Sequence, residues 1–399
     1  MSRGGAGSPG RSARVLVGAV LLDAAATLPV GLTGAVAVQL NEDLGLADQQ
    51  LGFVAAGFFG CGALTALLTL RLVDRIGWRR SVLIATCITT AATILSAFAF
   101  GGAVGFALAI TAAGAGLAIM MPATNLMLVS LSTDRYLALM IAVKQASVPL
   151  ALLLAGSAVP VLVVGRGWEI TFALAATMAP AGIALLWSLG AGARRGPPAG
   201  VSGAHLDGRQ ARGLTFVGLG VGLTSALAGA LTAYLVLSLV RSGMAATDAA
   251  VLYAVANGAG MAVRLACGWY ATRWATDGYG PVALLMAAGG LGAMLLGGSQ
   301  PVLLVLAACL AFGFGWGWPG LLFFAVMRSN PGSPAAASSV VQSGGMAGAA
   351  AGPLLAGWMA GWAGWSLTWV IIGLGAMLGG VSIHRAGRLL AASDATVRA

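Results

Sequence analysis

The sequence predicts an all-α membrane protein, with twelve transmembrane helices in two pseudo-symmetric six-helix bundles. Three observations carry this. The 399 residues are 59% hydrophobic and only 8% charged, with a mean hydropathy of +0.93, whereas a soluble domain carries about 25% charged residues. Apolar runs long enough to cross a bilayer recur along the whole chain. The basic residues collect in alternate loops. A water-facing surface cannot be built from so few charges, so a soluble globular enzyme is excluded. Disorder is excluded by the hydrophobicity. A collagen-like chain is excluded because the 61 glycines have no triplet period and stand beside only 14 prolines.

The spans are expected near 15–38, 51–70, 81–99, 103–130, 137–163, 169–190, 214–239, 249–272, 281–297, 301–327, 335–360 and 366–384. These runs are too long for barrel strands and lack polar alternation, which leaves helices. The first run resembles a signal peptide, because Arg3, Arg11 and Arg14 precede it and Ala35-Val36-Ala37 mimics a cleavage site. It is nevertheless longer than the 7–15 apolar residues of a signal core and is interrupted only by Asp23, so an uncleaved helix is expected.

Seventeen arginines fall in one set of loops and only Arg166 and Arg241 in the other. By the positive-inside rule both termini are cytoplasmic. The loop from Asn41 to Asp48 is acidic, as an outer loop can be. The polar stretch 191–213, rich in Gly, Pro and Arg, reads as a cytoplasmic linker. The chain therefore divides into an N-tail (1–14), a first bundle (15–190), the linker, a second bundle (214–384) and a C-tail (385–399).

The net charge of +10 does not indicate a nucleic-acid partner, since the arginines form loops and no aromatic-interleaved patch. Cys61, Cys87, Cys267 and Cys309 lie in apolar runs without metal-ligand spacing. No cofactor or metal is expected. No phosphate-binding loop or His-Glu-x-x-His motif occurs, and His205 and His384 lie at cytoplasmic positions, so no enzyme is expected.

The halves repeat. At an offset of 197, Gly116, Pro122, Gln145, Gly167, Trp168 and Thr171 meet Gly313, Pro319, Gln342, Gly364, Trp365 and Thr368. At 198, Gly45, Gly62 and Arg75 meet Gly243, Gly260 and Arg273. Parallel six-span repeats are a transporter plan with the site at the repeat interface near the midplane.

Between spans two and three the chain reads Leu70-Arg71-Leu72-Val73-Asp74-Arg75-Ile76-Gly77-Trp78-Arg79-Arg80. Gly77 can take positive φ, Asp74 can cap a helix, and the arginines can pair with Asp74 or lipid phosphates. This loop resembles the signature Gly-x-Leu-x-Asp-Arg-x-Gly-Arg-Arg of the major facilitator superfamily, with Leu70 in place of Gly and Trp78 where Arg or Lys is usual. The resemblance implies a secondary transporter in which Asp74, Arg75, Gly77, Arg79 and Arg80 gate the inner side.

Few ionisable residues lie inside spans: Asp23 in span one, Lys144 (the only lysine) in span five, and Arg264 in span eight. An ionisable residue at the bilayer centre costs on the order of 3 kcal/mol, so it faces a cavity or a partner. Each sits roughly 12–14 Å from the cytoplasmic end of its span, counting about 1.5 Å per residue, so all three share a level. Lys144 and Arg264 are candidates to hold an anion, most simply a carboxylate. Lys144 snorkelling to the interface and Arg264 bonding carbonyls between the halves are the alternatives. Asp23 is the proton-coupling candidate, or else a fixed counter-ion to Lys144 or Arg264.

Gln145, Asn125, Gln342, Ser343, Asn257 and Tyr234 are candidates to line the same cavity, each equally suited to an interhelical hydrogen bond. Pro122, Pro149, Pro319 and Pro353 are expected to kink their spans and free carbonyls. Trp316 and Trp318 can wall the pocket or pack.

An Arg at this point of span eight is similar to that of the monocarboxylate and oxalate–formate types within the superfamily. Lys144-Gln145-x-x-x-Pro149 is similar to a segment of cyanate-type members. The antiporter signature of span five is missing, and Gly348-x-x-x-Gly352-Pro353 in span eleven stands in the wrong half for it. The expected function is transport of a small anionic solute with protons, by a monomer in a bacterial inner membrane. A drug or metabolite efflux antiporter is the alternative.

Overall fold

The computed structural model describes residues 9–131, 140–141, 143–188, 208–273, 278–298, 300–330 and 334–398. The described residues form thirteen α-helices. These are α1 (Pro9–Ala35), α2 (Ala37–Leu44), α3 (Asp48–Phe98), α4 (Gly102–Leu131), α5 (Ser147–Ala158), α6 (Glu169–Ala175), α7 (Met178–Trp187), α8 (Gly208–Arg241), α9 (Ala246–Arg273), α10 (Tyr279–Leu295), α11 (Pro301–Gly315), α12 (Pro319–Ser329) and α13 (Pro334–Arg398).

These make the twelve expected spans. Among the described residues nine stretches are long and apolar enough to cross a bilayer. One of them, Ala337–Leu390, is two spans long and breaks at Gly364, and the shorter apolar helices Ser147–Val163 and Tyr279–Leu295 complete the set. Spans two and three are the halves of α3, six is α6 with α7, seven is α8, eight is α9, ten is α11 with α12, and eleven and twelve are the halves of α13. In apolar surroundings every backbone donor must be satisfied within its own segment, so the chain has no alternative to helix.

The turns inside the two longest helices are made by glycine. Gly77 (φ 78°) separates spans two and three, and Gly364 (φ 74°) separates eleven and twelve. A side chain at positive φ is strained, so glycine is required at both turns. The linker 191–213 lies outside the described residues up to 207, but helix has already begun at Gly208. At the other end α13 runs on to Arg398, so the residues expected as a C-tail extend the last helix.

The repeat is visible in the packing. A β-carbon at Gly62 would sit 3.2 Å from the Gly114 carbonyl oxygen, and one at the related Gly260 would sit 3.3 Å from that of Phe312. Spans one and seven cross where Gly34 abuts the Thr232 carbonyl, two positions 198 apart, so this contact lies on the pseudo-two-fold axis. On either side, Gly52 meets the Pro353 carbonyl and Gly156 meets that of Ala250, each leaving under 3 Å for a β-carbon. These close approaches close the seam between the bundles at the face away from the termini.

Two polar contacts reinforce that closure. The Arg241 guanidinium lies 2.9 Å from Asp48 Oδ1, and the Tyr234 hydroxyl donates to the Asp48 carbonyl at 2.8 Å. The terminal side differs: Asn125, Gln342 and Ser343 are exposed there, which marks a mouth opening toward the termini. Exposed Trp187 and Trp269 near the terminal ends of spans six and eight, and Trp358 and Trp362 at the far end of eleven, stand where interfacial aromatic belts are found.

Candidate substrate site

Proline shapes the site. Span five does not run straight through residue 149. Its helix ends in a turn at Gln145–Ala146 and restarts at Ser147. Pro149 has no N–H to give to the carbonyl four residues back, and that carbonyl belongs to Gln145. Span ten breaks in the same way at Trp316–Trp318 ahead of Pro319. There the Gly315 carbonyl, deprived of its donor, accepts the Trp318 indole N–H at 2.7 Å.

The first bundle holds a buried ion pair at this level. The Lys144 ammonium lies 2.9 Å from Asp23 Oδ2, with both side chains about 2% exposed or less. It also donates to Asn125 Oδ1 at 2.6 Å and to the Met121 carbonyl at 3.0 Å. Three acceptors meet three N–H bonds, which is the condition under which a buried charge is tolerated. The other carboxylate oxygen, Asp23 Oδ1, accepts from Thr124 Oγ at 2.8 Å. Lys144 therefore turns inward to Asp23 rather than snorkelling, and Asp23 is its counter-ion in this conformation.

Arg264 comes from the second bundle and is bound differently. It is buried and has no acidic partner among the described residues. Its Nη1 donates to the Gln145 carbonyl at 2.6 Å and its Nε to the Trp316 carbonyl at 3.0 Å. The guanidinium lies over the Trp316 ring, 5.5 Å from its centroid, a cation–π distance. Both carbonyls come from helix breaks, one in each bundle. Lys144 and Gln145 are consecutive, so the ion pair and Arg264 meet at one break. Asp23, Lys144 and Arg264 thus share a level, as their depth along the spans implies.

The remaining candidates separate. Asn125 is engaged by Lys144 and exposed. Gln145 contributes its backbone carbonyl, with its side chain half-buried. Asn257, two turns before Arg264, is buried and donates to the Tyr253 carbonyl at 2.9 Å, while its own oxygen has no partner. Gln342 is exposed at the mouth. Tyr234 is placed elsewhere. Its ring lies tilted against Trp365, centroids 5.0 Å apart, and it serves the far closure, because its hydroxyl reaches the end of span two. Trp316 flanks Arg264, whereas Trp318 is core. Thr124 carried no signal in the sequence, because its hydroxyl also lies 2.9 Å from the Met120 carbonyl four residues back, the ordinary contact of a helical Thr that Thr27 and Thr93 make.

In the loop motif, Gly77 adopts the anticipated positive φ and its carbonyl accepts from Ser81 Oγ at 3.0 Å. Trp78, the departure from the signature, is buried, and Arg79 lies over its ring at 5.4 Å. Arg75 and Arg80 are exposed, and the Asp74 side chain lies outside the described residues.

Comparison agrees with this architecture. No curated protein shows significant similarity to the chain. Among solved structures, a bacterial homolog of the human lysosomal transporter Spinster is similar in two inward-facing forms. The unoccupied form has a TM-score of 0.74 at 15% identity over 96% of this chain and 98% of that one. The occupied form has a TM-score of 0.70 at 15% identity over 98% of both. These likenesses show the fold. The sequence profile described as Major Facilitator Superfamily matches residues 16–333, most of the chain, and the protein is therefore a member of the major facilitator superfamily.

Proposed function

We propose that this chain moves a small anionic, carboxylate-like solute with proton coupling, as a monomer in a bacterial inner membrane with its termini in the cytoplasm. The observation that carries the reading is charge. At one buried level two cations stand against one acid, and the cation left over, Arg264, is met among the described residues by two carbonyl oxygens and the Trp316 ring, with no acid. A carboxylate is a better partner for a guanidinium than a neutral carbonyl, since hydrogen bonds with both partners ionised are the stronger ones. An anion entering from the terminal mouth meets Asn125 and Arg264.

Proton coupling follows from the pair. Protonating Asp23 removes the charge that holds the Lys144 ammonium, which then turns to the anion as a second cation. Gln145, Asn257 and Gln342 supply neutral contacts along the path. Tyr234 enters only when the far closure opens. Arg75, Arg79 and Arg80, with Asp74, gate the terminal side around the Gly77 turn.

The test is uptake into proteoliposomes of a panel of labelled anions and neutral drugs, with and without an inward proton gradient. Accumulation of an anion with the gradient, lost in Lys144→Ala and Arg264→Ala and reduced to equilibration in Asp23→Asn, is the expected result. Normal transport by the cation variants would overturn it. Phe312 and Trp316, stacked at 6.3 Å beside Arg264, favour a second reading, export of an aromatic acidic metabolite. Movement of hydrophobic compounds against the gradient would select that one.

A further inference from the structure

We propose that the Gln145 carbonyl is a built-in competitor for the anion at Arg264, and that Pro149 sets anion affinity by freeing it. This rests on the anion reading of the same site.

Three observations lead there. Arg264 crosses from span eight to span five to reach the Gln145 oxygen at 2.6 Å, the shortest of its contacts. That oxygen lacks a helix donor because residue 149 is proline. Around the break Gln145 N–H still reaches the Ile141 carbonyl at 3.0 Å and Leu150 N–H that of Ala146 at 3.1 Å, while Ala146 N–H takes a tighter bond three residues back to Val143 at 3.0 Å. The Gln145 carbonyl is therefore released, and it points at the other bundle. Pro149 also packs on Gly260, one turn before Arg264, within 3.8 Å of where a β-carbon would lie, which holds the break against span eight.

In this conformation the guanidinium bridges a carbonyl of each bundle. An anion must take at least one of those positions. Displacing Trp316 leaves the bundles tied. Displacing Gln145 unties them, so binding and bundle movement become one event. The opposite seam has no such tie: the positions related to Arg264 and Gln145 are Ala66 and the exposed Gln342.

The experiment is a double-mutant cycle on the full-length protein. In Pro149→Ala the alanine N–H reclaims the Gln145 carbonyl, and its β-carbon keeps the contact with Gly260. Binding of radiolabelled acetate, formate and oxalate to protein in nanodiscs is measured for wild type, Pro149→Ala, Arg264→Lys and the double variant, with Pro180→Ala as a proline control. Pro149→Ala is expected to bind about tenfold more tightly, on the scale of one charge-assisted hydrogen bond. The gain should vanish in the Arg264→Lys background, where an ammonium cannot bridge both carbonyls. An equal gain in both backgrounds, or none in either, overturns the proposal.

Should none of the three anions bind any variant, the anion reading falls and the tie is judged without ligand. Genetically encoded spin labels at Leu68, exposed at the terminal-side end of span two, and at Ser343 then report the width of the terminal mouth. Pro149→Ala and Arg264→Lys are each expected to add a second distance population. Superimposable distributions overturn the tie, and Arg264→Lys alone decides this if Pro149→Ala does not fold.

Discussion

The same place in the two bundles is built in opposite ways. In the first, Asp23, Met121, Thr124, Asn125 and Lys144 form a closed polar network. Shifted by the repeat, these positions become Val221, Trp318, Leu321, Leu322 and Val341, and all five are buried in a single apolar cluster. One backbone plan thus accepts either an ion pair or a hydrocarbon core at this depth. Stability cannot be why the first bundle keeps the charges, because the second manages without them. Replacing a buried pair by packed apolar residues is often neutral or stabilising. The polar version is the one that can change state, and the apolar version is a fixed wall.

The largest predicted effect breaks that comparison directly. Lys144→Met strands the Asp23 carboxylate, which is fully buried, and should cost about 3–5 kcal/mol, read as a large fall in the melting temperature of the purified protein. The double variant Asp23→Val/Lys144→Val copies the second bundle. It should recover most of that stability while losing uptake. Equal losses in the single and double variants would mean that the cluster of the second bundle is no guide to the first.

How much of this was legible follows from what each feature depends on. The spans depend on composition along the chain, so apolar runs and loop arginines located them. The three intramembrane ions stood out because they are rare, and their shared depth followed from helical rise alone. Partner choice depends on how each helix is rotated and which neighbour it faces, which one chain does not display. The sequence therefore leaves Asp23 with two possible cations, Lys144 and Arg264, gives no sign of Thr124, and groups Tyr234 with a cavity from which the fold separates it. The break in span five was half-visible: Pro149 marked the freed carbonyl, and only the packing showed that Arg264 takes it.

Arg264→Met should come next in size. It removes the only buried cation without an acidic partner among the described residues, and uptake should fall at least thirtyfold, the scale of losing one partner of a desolvated ion pair. Its melting temperature should fall less than that of Lys144→Met, because no buried counter-charge is stranded. A larger fall would recast Arg264 as structural.

Smaller effects test the symmetry of the seam. Gly52→Ala and Gly156→Ala each push a methyl against a carbonyl across the bundles, and each should cost about 1–3 kcal/mol. The two carbonyl contacts are related by the pseudo-two-fold, but a methyl at Gly52 also meets the Tyr234 hydroxyl, so Gly52→Ala should be the costlier of the two. A larger cost at Gly156 would show that the Tyr234 hydroxyl gives way and that the flank at Ala250 is the tighter one.

The smallest effect is expected at the ion pair of the far closure, and the reason sharpens the first prediction. Asp48–Arg241 and Asp23–Lys144 have the same separation, 2.9 Å, so distance does not distinguish them. Exposure does: the Arg241 and Asp48 side chains are 50% and 31% exposed. Water therefore solvates each partner when the other is removed, and salt screens the attraction. An exposed pair contributes about 1 kcal/mol or less. Arg241→Gln should change the melting temperature little and make the terminal mouth slightly narrower on average as the far side loosens. That shift, read from the Leu68–Ser343 spin-label distance, should shrink further in 1 M salt. An effect as large as that of Lys144→Met would mean that the far closure rests on this one charge pair rather than on the glycine contacts beneath it.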